Sequence, residues 1–82
     1  MIEVYRMNTM NLGGKTKAFV DLHFFGLLLK GFRVVEGEKG LFVSYPDEKG
    51  KDGQYYPTIL PLNEEMKKQV SEVILKHYGE KE

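Results

Sequence analysis

The chain has 82 residues, twelve Lys and Arg against twelve Asp and Glu, and no cysteine. Neutral overall, it cannot hold nucleic acid by bulk charge, so an anionic partner must be met by a local patch. Without cysteine, neither disulfides nor thiolate metal sites reinforce a core that, at this length, hides only roughly 60% of the unfolded surface, so self-association would help it.

The most apolar run, Phe24 to Leu29, is far short of the roughly 20 residues that span a bilayer. The N-terminal MIEVYRM mixes charges with short apolar residues, unlike a signal or transit peptide. The expectation is one domain, residues 1–82, soluble and cytoplasmic, with no membrane association.

Taken in order, Ile2 to Met7 reads as a first strand, with Ile2 and Val4 on one side and Glu3, Tyr5 and Met7 on the other. Asn11-Leu12-Gly13-Gly14 supplies a turn. From Lys15 a period of two is clear: Ala18, Val20, Leu22 and Phe24 share one face, and Lys17, Phe19, Asp21 and His23 the other. Phe19 is read as cross-strand packing, or else as a partner surface.

Gly26 marks a turn into a third strand, Leu27 to Val35. Leu28, Lys30, Phe32 and Val34 fall on one face, and Leu27, Leu29, Gly31, Arg33 and Val35 on the other. Neither face is cleanly polar, and Gly31 suggests a bulge or a close backbone approach.

The stretch FRVVEGEKGLFVSYP is the clearest hairpin, with Phe32–Val35 and Leu41–Tyr45 joined by a loop of about five residues. Pro46 ends the ladder for want of an N–H. Residues 47–56 read as a surface loop with an Asp52-Gly53 turn, and 57–61 as extended chain.

Asn63 is the predicted N-cap of a helix whose first turn holds Glu64 and Glu65, where carboxylates suit the helix dipole. Met66, Val70, Val73, Ile74 and His77 recur at helical spacing, with Leu75 and Tyr78 widening the stripe. Glu64/Lys68 and Glu72/Lys76 are i,i+4 pairs, and Gly79 suits the position just past the helix end. The fold class that follows is α+β, a twisted antiparallel sheet of about four to five strands with one C-terminal helix packed on it.

Signals for catalysis are weak. His23 and His77 lack partners at metal-site spacing, and the acidic residues at 47, 48 and 52 do not form a calcium loop. Ser44 and Ser71 lack a nucleophile-elbow context, and no glycine-rich phosphate loop is present. The expectation is a non-enzyme with no cofactor, no metal and no small-molecule substrate.

The binding signal is local. Lys49, Lys51, Lys67 and Lys68 lie in the long loop and the opening turns of the helix, which are expected to meet at one end of the domain. Tyr55 and Tyr56 beside them offer rings on which bases stack. Asp47, Glu48, Glu64 and Glu65 weaken the field an incoming phosphate feels, so a monomeric site is feeble and a dimer that repeats the patch gains by effective concentration.

Several segments together resemble the stage V sporulation protein G (SpoVG) family. They are Phe32 to Gly37, Gly40-Leu41-Phe42-Val43 through Pro46, Asp52-Gly53, and Pro61 with Asn63. The likeness extends to Lys15-Thr16-Lys17-Ala18 and the terminal helix with Tyr78, nearly the whole chain.

That resemblance implies a small bacterial cytoplasmic homodimer that regulates gene expression by binding DNA and, in some members, RNA, with links to septation, cell division and sporulation. It implies neither cofactor nor catalysis. Lys49 and Lys67 keep charge where the family carries basic residues, Tyr55 keeps an aromatic, and Glu48 and Tyr56 stand where the family is basic. Lys51 is read as partial compensation from the residues alone.

The leading expectation is thus a dimeric nucleic-acid-binding regulator whose contacts come from Lys49, Lys51, Tyr55, Lys67 and Lys68, with Arg33 added if the sheet edge faces the same side. The alternative is a dimeric protein-interaction or assembly module without nucleic acid.

Overall fold

The computed structural model describes residues 2–10 and 13–81. Asn11 and Leu12 of the expected first turn lie outside the described residues. Four strands form one antiparallel sheet in the order β1 (Ile2–Thr9), β2 (Thr16–Phe24), β3 (Leu27–Gly37) and β4 (Gly40–Ser44). A second, two-stranded sheet pairs β5 (Asp47–Lys49) with β6 (Tyr55–Pro57), and α1 (Glu64–Lys81) closes the chain. The architecture is the expected α+β arrangement.

The alternation of β2 places Ala18, Val20 and Leu22 fully inside, facing Phe32 and Val34 of β3. The helix packs chiefly on β1 and β4 and buries Val70, Ile74 and Tyr78 against that same sheet face, with Met66 and Leu75 at the margin. Each such side chain, fully buried, contributes roughly 1.5–3 kcal/mol. Asn63 caps the helix as the sequence predicts: its side-chain oxygen accepts from the Met66 N–H at 2.8 Å.

Three register shifts set which side chains face the core. In β1 the pairing passes from Val4↔Leu22 to Arg6↔Asp21, so Tyr5 is an extra residue. Met7 is therefore buried with the Ile2 and Val4 side of the strand, not opposite it as strict alternation predicts. A second shift in β2, between Thr16 and Ala18, inserts Lys17.

The third lies in β3, where Val20 faces Phe32 but Leu22 faces Leu29, leaving Lys30 and Gly31 opposite a single residue. Leu29, not Leu28, thus joins the core side, and Leu28 is exposed. Gly31 fulfils both readings of it: it sits in the bulge with φ +101°, and an added Cβ would stand 3.3 Å from Cβ of Pro46.

The β3–β4 hairpin is tighter than predicted. Gly37 pairs with Gly40, so the turn is the two residues Glu38-Lys39 instead of five, because the flanking glycines join the ladder. At the other end of β3, Phe25 (φ +49°) and Gly26 (φ +80°) make a two-residue turn of the type I′ pattern. The helix also runs through Gly79, which keeps a negative φ among the described residues; the cost of about 1 kcal/mol for glycine in a helix is tolerated here. Of the expected helix pairs neither forms, and Lys68 instead approaches Glu72 at 4.0 Å.

Candidate nucleic-acid interface

Residues 47–56, predicted as a loop, form an ordered hairpin together with Pro57, and its local chemistry explains why. Pro46 is buried, and its carbonyl accepts from Thr58 N–H at 3.0 Å, tying the two ends together. At the tip, Gly53 N–H donates to the Gly50 carbonyl at 3.1 Å and Gly50 N–H to the Gln54 carbonyl at 2.7 Å. Asp52 Oδ1 accepts from Gln54 N–H at 3.0 Å, and the Tyr56 hydroxyl donates to Asp52 Oδ2 at 2.5 Å.

Gly50 is required at its place by close approach. A Cβ there would lie 2.7 Å from Cε2 of the Tyr56 ring. The Tyr56 hydroxyl, with help from the Gln54 amide, holds the Asp52 carboxyl below its ordinary range, and the same carboxylate pushes the Tyr56 hydroxyl up.

The register sorts the hairpin's side chains. Lys49 pairs with Tyr55, and Glu48 with Tyr56. Directly paired residues share a face and successive ones alternate, so Lys49 and Tyr55 lie together on one face while Glu48 lies on the other. Lys51 occupies the turn, and all three candidates are exposed. Of the carboxylates expected to weaken this patch, Asp47 is engaged by Arg33, whose Nη2 stands 3.6 Å away; the neighbouring Asp52 is held by Tyr56.

Lys67 and Lys68 form a separate group. Both are exposed on the first turns of α1, which lies on the core face of the sheet. Lys68 leans toward Glu72, and no hydrogen bond or ion pair among the described residues joins either lysine to the β5–β6 hairpin. Within one chain the structure unites Lys49, Lys51 and Tyr55 but does not link them to Lys67 and Lys68.

The face of the sheet that α1 leaves open carries what sequence reasoning only touched. Pairing lines Asn8, Phe19, Arg33 and Ser44 across the four strands in one row, with Val35 and Phe42 in the next. Phe19 is 44% exposed and Phe42 50%. Arg33 donates to Ser44 Oγ at 3.1 Å, while its Nε–H is buried without an acceptor. Its contact with Asp47 draws the root of the hairpin toward this face.

A groove of about 440 Å³ runs there, lined by Phe19, Lys30, Arg33, Asp47, Glu48 and Thr58 among others. The signal in the sequence was Phe19 on the wetter face of β2. The contribution of Lys30 depends on the bulge and was hidden.

On the other side, an apolar cleft of about 290 Å³ opens between the sheet, the start of α1 and the segment 59–63. Leu60 and the nearly fully exposed Leu62 stand at its edge. Tyr45 lines it, and burial pushes the Tyr45 hydroxyl up.

Among the described residues no group of three or more acidic, His or Cys side chains could hold a metal ion. His23 does meet a carboxylate, Glu3, at 3.1 Å, and its other ring nitrogen accepts from Gly26 N–H at 3.1 Å. Neither His23 nor Glu3 lines either cleft. Among the described residues no helix is long and apolar enough to cross a membrane.

Comparison with known proteins places this architecture. The SpoVG family model matches residues 1–80. Among the relatives named "Putative septation protein SpoVG" are three from different organisms. The one from Symbiobacterium thermophilum is 40% identical over 74 residues, 89% of this chain and 53% of its own length. That from Archaeoglobus fulgidus is 39% identical over 70 residues, 84% of this chain and 82% of the relative. That from Heliobacterium modesticaldum is 36% identical over 76 residues, 92% and 85%. The chain thus spans about half the length of the first relative and most of the other two. A match over nearly every residue, together with the four-stranded sheet and terminal helix, means that the chain belongs to the SpoVG family.

Proposed function

We propose that this protein is a nucleic-acid-binding regulator of the SpoVG type, acting on DNA or RNA as a homodimer, without catalysis or cofactor, in the cytoplasm. The observation that carries the reading is the β5–β6 hairpin. It is a short, internally braced finger that holds Lys49 and Tyr55 side by side on one face and Lys51 at its turn. A cation beside an exposed ring is the pairing that meets a phosphate and its neighbouring base or sugar together.

Lys67 and Lys68 enter through the second copy of the chain or through a longer nucleic-acid path. Dimerisation is favoured by the thin core and by Leu41 and Phe42, exposed on the edge strand β4, since an unpaired edge invites another strand. By likeness to its named relatives, the process served is linked to septation.

The test is a titration of short single- and double-stranded oligonucleotides at low and physiological salt, with sedimentation of the protein alone at tens of micromolar. The reading expects a dimer and salt-sensitive binding that Lys49→Glu and Lys51→Glu weaken. A strict monomer removes the paired patch, and no binding at low salt removes the function.

A second reading, a protein-assembly module without nucleic acid, is favoured by the apolar cleft with Leu60 and Leu62 at its edge. The same titration separates the two, because the assembly module is indifferent to oligonucleotides.

A further inference from the structure

We infer that the groove between the open sheet face and the root of the β5–β6 hairpin receives an unpaired nucleobase, so that this groove engages single-stranded nucleic acid. The inference rests on the nucleic-acid reading above and narrows its substrate class.

Three features of the groove point the same way. The Phe19 ring, 44% exposed, forms part of its lining on a face that no helix covers, and an exposed ring offers a stacking surface to any base. Lys30, also in the lining, makes no ion pair with any described residue, so its ammonium is available to a phosphate. Asp47 and Glu48 complete one wall.

Asp47 is paired with Arg33 of the same lining at 3.6 Å, whereas Glu48 makes no ion pair with any described residue and would repel a bare phosphate. The Glu48 carboxylate suits a base edge, whose exocyclic amino or ring N–H groups donate to a carboxylate. A ring, a free cation and hydrogen-bond acceptors in one groove therefore fit a base with its attached phosphate better than either alone. The volume of about 440 Å³ lies within the roughly 300–1,000 Å³ of small-molecule sites.

Position supports the same occupant. The Glu48 wall belongs to β5, whose Lys49 lies on the hairpin's opposite face, so a strand with one base in the groove meets Lys49 by passing its flanking phosphate round the edge of the hairpin. Phe42, on the same face, lies two strands across and one row along from Phe19, about 12 Å by strand spacing and rise. That is a reach for a further base of the same extended strand. A duplex keeps its bases stacked inside and cannot use either ring without being opened.

The chain has no tryptophan, so Phe19→Trp installs a single indole in the groove. The variant is titrated with a labelled 12-nucleotide DNA strand, the RNA of the same sequence and the matching duplex, following oligonucleotide anisotropy and indole emission together. The expected result is quenching in step with anisotropy for the single strands and none for the duplex. Phe19→Ala should weaken single-strand binding by roughly five- to a hundred-and-fiftyfold, the range of one lost base–aromatic stack, and leave duplex binding unchanged. Its thermal melt confirms that it is folded, and the indole readout stands independently of it.

Single strands that bind without quenching, with Phe19→Ala unchanged, overturn the groove assignment while the lysine reading survives. Anisotropy that no oligonucleotide raises overturns both. Indole emission that shifts with protein concentration alone shows that a second copy covers the groove, which also overturns the assignment.

Discussion

Gly31→Ala probes the joint on which the open-face geometry depends. Gly31 sits in the β3 bulge at φ +101°, and a Cβ would come within 3.3 Å of Pro46 Cβ, 3.6 Å of Pro46 Cγ and 4.0 Å of Pro46 Cα. A non-glycine residue held in such a region costs of order 1–3 kcal/mol. Pro46 cannot swing aside, since its ring is rigid, it is buried, and its carbonyl is bonded to Thr58 N–H.

Taking about 2 kcal/mol, and 4–8 °C per kcal/mol for a domain of this size, the melting temperature should fall by about 8–16 °C. The assay is thermal unfolding followed by far-UV circular dichroism. Gly14→Ala is the control: Gly14 has open space around its would-be Cβ and no positive φ, so it should melt within a degree or two of wild type. Gly31→Ala that melts with the control would refute the assigned strain, and with it the bulge that turns Lys30 toward the groove.

Leu22→Ala, at the centre of the sheet and fully buried, should cost about 2–5 kcal/mol, measured by urea unfolding; a loss below 1 kcal/mol would contradict the core assignment. Asn63→Ala removes the cap bonded to Met66 N–H and should cost about 1 kcal/mol, while Asn63→Asp should retain most of the stability. The Asp52–Tyr56 contact has two pH limits.

Because the Asp52 carboxyl is depressed on folding, its contribution is present above the ordinary Asp range and is lost as pH falls through the lowered value. Because the Tyr56 hydroxyl is raised, its contribution is present below the ordinary Tyr range and is lost as pH rises through the higher value. NMR titration of the two side chains checks this: Tyr56→Phe should return the Asp52 titration toward its ordinary position, and no movement would show that the contact does not form in solution.

Much of the fold could be read from residue order. β2 was legible because one face of it is wholly apolar, and α1 because its cap, acidic first turn and stripe agree. The faces of β1 and β3 were not, since a bulge adds one residue without any local signature at Tyr5 and only a glycine at Gly31, and one added residue reverses every later side chain. The β5–β6 hairpin escaped because Asp-Glu-Lys has little strand preference and its partner Tyr-Tyr-Pro offers only two strand-favouring residues before a proline. The two strands are held by the Asp52–Tyr56 bond and the Pro46–Thr58 link, which are matters of geometry.

The candidate site was half legible for the same reason. Lys49, Lys51 and Tyr55 are neighbours in sequence and in space, whereas their relation to Lys67 and Lys68 depends on how the segment 58–63 carries the chain to the helix. Of the open-face groove only Phe19 was legible, because the groove joins residues from β2, β3 and β5 through a bulge.

The most direct measurement is the salt dependence of single-strand binding in wild type, Lys49→Gln and Lys51→Gln. Each phosphate contact contributes about 0.7 to the slope of log affinity against log salt for a single strand. Each substitution should therefore flatten the slope by about that amount while leaving the melting temperature unchanged. Slopes identical to wild type in both variants would contradict the assignment of the hairpin as the element that meets the nucleic-acid backbone.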